Sequence, residues 1–190
     1  MASAIITQAL EADYWKPIQA GDLDNSDSHK IKKRVKNTRL TIHPNAYALN
    51  TPASPHLAAT IDNLTIDLKK IIEPTTDNHL VIEGAGGILV PLNETDCVVD
   101  LIQPDYKVVI VSRHYLGSIN HTLMTLELLK NRNIKVSGII FSGDENTSTE
   151  NIILHKSGIK YIGRIDNEPY FDENVISYYA EKFREKLLEL

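Results

Sequence analysis

Apolar and polar positions fall into blocks along this chain, and two periods account for most of them. Some blocks are continuous apolar runs that stop at a polar residue: Leu80-Val81-Ile82 ends at Glu83, and Val108-Val109-Ile110-Val111 ends at Ser112. Runs of this kind, rich in β-branched residues, predict strands covered on both faces, as in a parallel sheet. Other blocks repeat every three or four residues, as Ala4, Ile5, Ala9 and Leu10 do, or Leu123, Leu126 and Leu129, and predict helices. In chain order the pattern predicts a helix over Met1–Ala12 with no cap before it, a short strand over Asp13–Ile18 and a polar loop over Gln19–Ser28. Lys30–Arg39 reads as a helix end and the loop after it, and Thr41–Leu49 as extended chain broken by Pro44. A helix opens at Ser54-Pro55-His56, serine as cap and proline first, and runs towards Ile61. Thr65–Ile72 reads as amphipathic, with Ile66, Leu68, Ile71 and Ile72 inward. A strand follows over Leu80–Glu83, extended chain over Gly87–Pro91 and a helix over Asp96–Ile102. Beyond these come strands at Tyr106–Ser112, Val136–Phe141 and Tyr161–Ile165, and helices at Ser118–Asn131, Thr147–His155 and Asp172–Leu190.

Strands alternating with helices predict an α/β fold with a doubly wound, mostly parallel sheet. The pattern has a gap at its front, because a helix comes first. In doubly wound nucleotide folds the first strand is central, and the loop after it holds phosphates. That strand is missing here, and the chain contains no Gly-x-x-x-x-Gly-Lys-Ser/Thr segment.

Composition narrows the classes without naming one. A chain of 190 residues is long enough for one full core, so residues 1–190 are expected to form a single domain. The net charge of −5 gives no overall attraction to nucleic acid or to an anionic membrane. A single cysteine, Cys97, excludes an intrachain disulfide and fits a cytoplasmic protein. No apolar run approaches the roughly 20 residues of a membrane span. The seven histidines lack the spacing of a zinc motif.

Chemistry concentrates at the ends of the predicted strands. Glu83 stands at a strand tip as a hard oxygen ligand, and Gly84-Ala85-Gly86-Gly87 after it would let backbone N–H groups approach an anion. Lys16 closes a short strand, where an ammonium neutralises a phosphoryl or carboxylate group; the plain alternative is a surface lysine lying over Trp15. Asn25-Ser26-Asp27 precedes a helix, so it reads either as a cap or as an oxygen ligand for Mg²⁺ beside Glu83. Leu116-Gly117-Ser118-Ile119-Asn120-His121 opens a helix whose free N–H groups suit a carboxylate, or are simply capped by Ser118. The run Lys30 to Arg39 has six basic residues in ten, but without interleaved aromatics it reads as a solvated face.

Taken together, these pieces resemble the dethiobiotin synthetases, the ATP-dependent enzymes of biotin biosynthesis. Five match in the family's order: Trp15-Lys16-Pro17 with Gly21, Asn25-Ser26-Asp27, Ala53-Ser54-Pro55-His56, Val81 to Gly87, and Leu116 to His121. Ala2 to Ile6 looks like the helix that follows the family's phosphate loop. The resemblance implies a P-loop NTPase-type fold and a homodimer. The implied reaction is closure of 7,8-diaminononanoate with CO2, at the expense of ATP and with Mg²⁺, through a carbamate and a carbamic-phosphoric anhydride. It implies that Lys16 stabilises the transferring phosphoryl and that Asp27 and Glu83 hold Mg²⁺ and nucleotide. Gly84, Ala85 and Gly86 would then line the nucleotide, and Gly87, Gly117, Ser118 and Asn120 the substrate.

The chain departs from the family at several points. The phosphate loop and its strand are missing. Ala20 stands where a hydroxyl is usual. Ser142-Gly143 replaces the adenine-reading Asn-Asp, which implies relaxed base selectivity, and Asp166 replaces a proline. The first departure carries an expectation: that Met1 is an internal methionine of a longer protein, and that the 190 residues made alone are poorly stable and inactive. Two alternatives remain: another P-loop synthetase or partitioning-type ATPase, and a non-catalytic dimeric binding protein.

Overall fold

Each predicted strand that forms does so in parallel with its neighbours, because helices and loops return the chain to the same edge every time. The computed structural model describes residues 1–190. Helix α1 (Ala2–Ala9) leads into β1 (Asp13–Trp15), which pairs in parallel with β3 (Ile42–His43) on one side and β5 (Leu80–Ile82) on the other. A second parallel pair joins β2 (Ile18–Ala20) to β4 (Tyr47–Leu49). A third sheet, in the order β6 (Val108–Arg113), β7 (Val136–Ser142), β8 (Tyr161–Ile165), is also parallel throughout. The remaining helices are α2 (Asp27–Arg34), α3 (Pro55–Ile61), α4 (Ser118–Asn131), α5 (Thr147–Ser157) and α6 (Glu173–Leu188).

Helices cover both faces, as an all-parallel sheet requires. On one face, Ile5 of α1, Tyr14 of β1, Ile31 of α2, Ile140 of β7 and Tyr179 and Phe183 of α6 form one buried cluster. On the other, Leu126 of α4 and Ile153 of α5 pack on Ile139 and Phe141. A third cluster seats α3 on the β2–β4 pair through Ala58, Ala59, Ile18 and Leu49. Fully burying one such side chain stabilises the fold by about 1.5–3 kcal/mol. No helix is long and apolar enough to cross a membrane.

The outer edges of β5 and β6 have no strand partner, since β5 pairs only with β1 and β6 only with β7. Val81 of β5 and Val109 of β6 nevertheless pack against the same cluster, beside α1. Two parallel edges therefore flank one core with no strand joining them, and Val111 of β6 is 49% exposed.

Five predicted segments differ from the structure, the first being the helix expected over Asp96–Ile102, where only a 3₁₀ turn over Val98–Leu101 forms. Asp13–Ile18 is two strands, not one, because Pro17 brings no N–H to a ladder; β1 and β2 then pair with different partners. The helix expected around Lys30 begins at Asp27. Thr65–Ile72 holds only a 3₁₀ turn over Leu68–Lys70, closed by the Asp67 carboxylate accepting from the Lys69 N–H. Ile66 is buried there, but Ile72 is 77% exposed. Gly87–Pro91 turns, with the Val90 N–H donating to the Gly87 carbonyl, instead of running extended.

Candidate active site

The parallel register of β1 and β5 builds the centre of the site. Trp15 lies opposite Ile82, and the Glu83 N–H donates to the Trp15 carbonyl at 2.9 Å. One residue further, Lys16 and Glu83 leave adjacent strand ends on the same side. The Lys16 Nζ lies 3.4 Å from Glu83 Oε1. It also donates to Asp27 Oδ2, the first helical residue of α2. An acid in a helix's first turn is favoured by the free N–H groups there. Ser26 holds the cap position without a capping hydrogen bond, its hydroxyl instead meeting His29 Nδ1 at 2.8 Å.

The cluster is shielded but not sealed. Lys16 is buried, while the side chains of Asp27 and Glu83 keep 36% and 26% of their exposure. Burial pushes the Asp27 carboxyl up. The hydrogen bond and charge of Lys16, with Lys30 at 3.5 Å, outweigh that and hold it below the ordinary range. Tyr14 is wholly buried and donates its hydroxyl to Glu83 Oε2 at 2.9 Å. Burial and the Glu83 charge both push the Tyr14 phenol up, so it stays a donor. Asn45 adds a 2.6 Å bond to the Lys16 carbonyl, fixing the strand end from the β3–β4 side.

Two carboxylates from separate elements meet at one cation. That hard-oxygen set fits Mg²⁺, which takes one or two carboxylates and completes its shell with phosphate and water. Gly84 to Gly87 follow directly, with Gly84, Gly86 and Gly87 exposed and Ala85 half-buried. Gly86 adopts φ +88°, a conformation that a residue with a Cβ takes only under strain.

The Leu116–His121 segment sits at the same, carboxyl-terminal end of the strands, after β6. No hydrogen bond or ion pair joins it to Lys16, Asp27 or Glu83. Gly117, not Ser118, occupies the cap position of α4, at φ +100°. Ser118 is buried and its N–H donates to the Tyr115 carbonyl. Ile119 and Asn120 keep unbonded N–H groups at the helix start, and the Asn120 side chain is exposed. Tyr115 and His121 close the loop through a 2.6 Å bond between Tyr115 Oη and His121 Nδ1.

Sequence reasoning passed over Tyr14, which reads as one more aromatic in an apolar strand. The signal was parity: residues two apart on a strand share a face, so Tyr14 points where Lys16 points. Gly143, in the pair that departs from the family's Asn-Asp, has φ +116°, and a Cβ there would meet the His114 Cβ at 3.3 Å. Asp166 is engaged by Arg164 at 2.7 Å, and Arg164 also holds the buried Glu150 at 3.1 Å.

The sequence matches an AAA domain family over residues 1–175. It is 57% identical over its full length to an ATP-dependent dethiobiotin synthetase of Christiangramia forsetii, spanning 92% of that protein. The chain belongs to the dethiobiotin synthetase family. A second member, from Cytophaga hutchinsonii, is 50% identical over 96% of this chain and 89% of its own length. A third, from Agrobacterium fabrum, is 42% identical over 88% of this chain and 79% of its own. Membership accords with the parallel α/β sheet and argues against both a partitioning-type ATPase and a non-catalytic binding protein.

Proposed function

We propose that this dethiobiotin synthetase family member closes the ureido ring of 7,8-diaminononanoate with CO2 and ATP, in the cytoplasm, as a homodimer. The observation that carries the reading is the meeting of Lys16, Asp27 and Glu83 at the carboxyl ends of adjacent parallel strands. One amine of the substrate adds to CO2 and loses a proton, giving a carbamate. A carbamate oxygen attacks the γ-phosphorus of ATP, ADP leaves, and a carbamic-phosphoric anhydride forms. The second amine attacks its carbonyl carbon, phosphate departs and the ring closes.

Phosphoryl transfer asks the protein mainly for positioning and charge neutralisation. Lys16, held by Asp27 and within reach of Glu83, places an ammonium where carbamate and transferring phosphoryl meet. Bound Mg²⁺, held by Asp27 and Glu83, supplies neutralisation of the phosphate oxygens. Gly84, Ala85 and Gly86 line the nucleotide, and Gly87 lies towards the substrate. Gly117, Ser118 and Asn120 receive the substrate carboxylate, with the Ile119 and Asn120 N–H groups as donors. The dimer reading rests on the exposed Tyr115, Leu116, Ile119 and Met124 beside that segment, Leu116 being fully exposed. Exposed apolar side chains grouped on one segment suit contact with a second copy of the chain.

The gap between β5 and β6 would accept the strand and phosphate loop that the family resemblance implies. Incubating the protein carrying that segment with the diamine, MgATP and ¹³C-bicarbonate tests the reaction. A product labelled at the ureido carbon is expected. ADP released without labelled product would refute it.

A further inference from the structure

A cavity of about 580 Å³ opens between α4 and α5 at the amino-terminal end of β7, the opposite end of the sheet from Lys16. Its size is within the range of small-molecule sites, roughly 300–1,000 Å³. The floor is apolar, formed by Leu126, Ile134, Val136 and Ile159. The rim carries Lys130, Lys135 and Lys156 from three separate segments, and Glu127 as its one acid. Lys16, Lys36 and Lys160 each pair with a carboxylate; none of these three rim lysines does. Lys130 and Lys156 also lie in the last turns of α4 and α5, where a cation complements the helix carbonyls. Lys135, in the turn before β7, has no helix end to complement.

We propose that this cavity binds a small phosphomonoester with an apolar body. Three unpaired ammonium groups and one carboxylate leave a local excess of two positive charges on a chain of net charge −5, which matches a dianionic head. The apolar floor holds the body of the same ligand. Inorganic phosphate lacks that body, and an alcohol of equal length lacks the charge, so each fills half of the site.

The test is a backbone amide NMR titration of the folded protein with octyl phosphate below its micellar range, beside inorganic phosphate and octanol. Shifts are expected at residues 126–136 and 156–159, with both control ligands at least about tenfold weaker, a difference of about 1.4 kcal/mol. The triple variant Lys130→Gln, Lys135→Gln, Lys156→Gln should lose binding by a similar factor while keeping the wild-type spectrum elsewhere. Because the shifts are read residue by residue, binding at Glu83–Gly87 is distinguished from binding here. Undiminished binding by the triple variant would overturn the proposal, as would equal binding of inorganic phosphate or shifts that depend on protein concentration alone.

Discussion

The Lys16 ammonium is the one cation between two carboxylates, and each neighbour tunes it differently. Asp27 grips it and Glu83 stands slightly further off, held on its other oxygen by Tyr14. Tyr14→Phe removes that donor without changing shape. Partners that orient a metal-binding group matter about 10–100-fold for affinity, so Tyr14→Phe is expected to raise the Mg²⁺ concentration for half-maximal rate by about tenfold, with a native melting curve. A magnesium titration of the steady-state rate checks this. Acid acts on the same cluster. The folded carboxyl of Asp27 titrates below its unfolded value, so its contribution to stability is complete above pH of about 4 and is lost as pH falls through the folded value. Urea unfolding from pH 6 down to pH 3 should show a smaller loss for Asp27→Asn than for the unaltered chain.

Elements place these residues, and here the sequence was legible where periodicity and burial agreed. Apolar runs marked β5, β6 and β7, and steps of three marked α4, because those segments are covered by packing that rewards one period. Legibility failed where a backbone group decided the outcome. Pro17 split one predicted strand in two, and Asp67 closed a single turn where a longer amphipathic segment was expected. Tyr14 was hidden because its apolar ring is core while its hydroxyl belongs to the site. Gly21 shows the same dependence on backbone: at φ +68° it lies against Pro52, whose Cα would be 2.5 Å from a Cβ there. Gly21→Ala is therefore expected to destabilise the fold by about 1–3 kcal/mol, read as a lower denaturation midpoint with unchanged slope.

At the scale of the molecule, β5 and β6 each leave a sheet edge without a strand partner, and the gap between those edges borders the core cluster that holds Ile5 of α1. Val81 and Val109 beside the gap are only half-buried and Val111 is 49% exposed; fully burying one such side chain stabilises a fold by about 1.5–3 kcal/mol, so a strand in that gap should stabilise the whole fold. The chain extended upstream by a strand and phosphate loop is expected to melt several degrees higher than residues 1–190 alone. An identical melting temperature would remove the gap from the account. The apolar surface around Leu116 makes a separate statement about assembly. Leu116→Asp should shift the protein towards monomer in sedimentation velocity, while its far-ultraviolet circular dichroism stays unchanged.

The most direct measurement is ADP release by the extended chain with MgATP and bicarbonate, with and without 7,8-diaminononanoate, for the native sequence and for Lys16→Gln. The site described here predicts release that requires the diamine and falls about 10²–10³-fold in Lys16→Gln, the loss typical for one group that stabilises charge in the transition state. Release that proceeds equally without the diamine, or that survives the loss of Lys16, would contradict it.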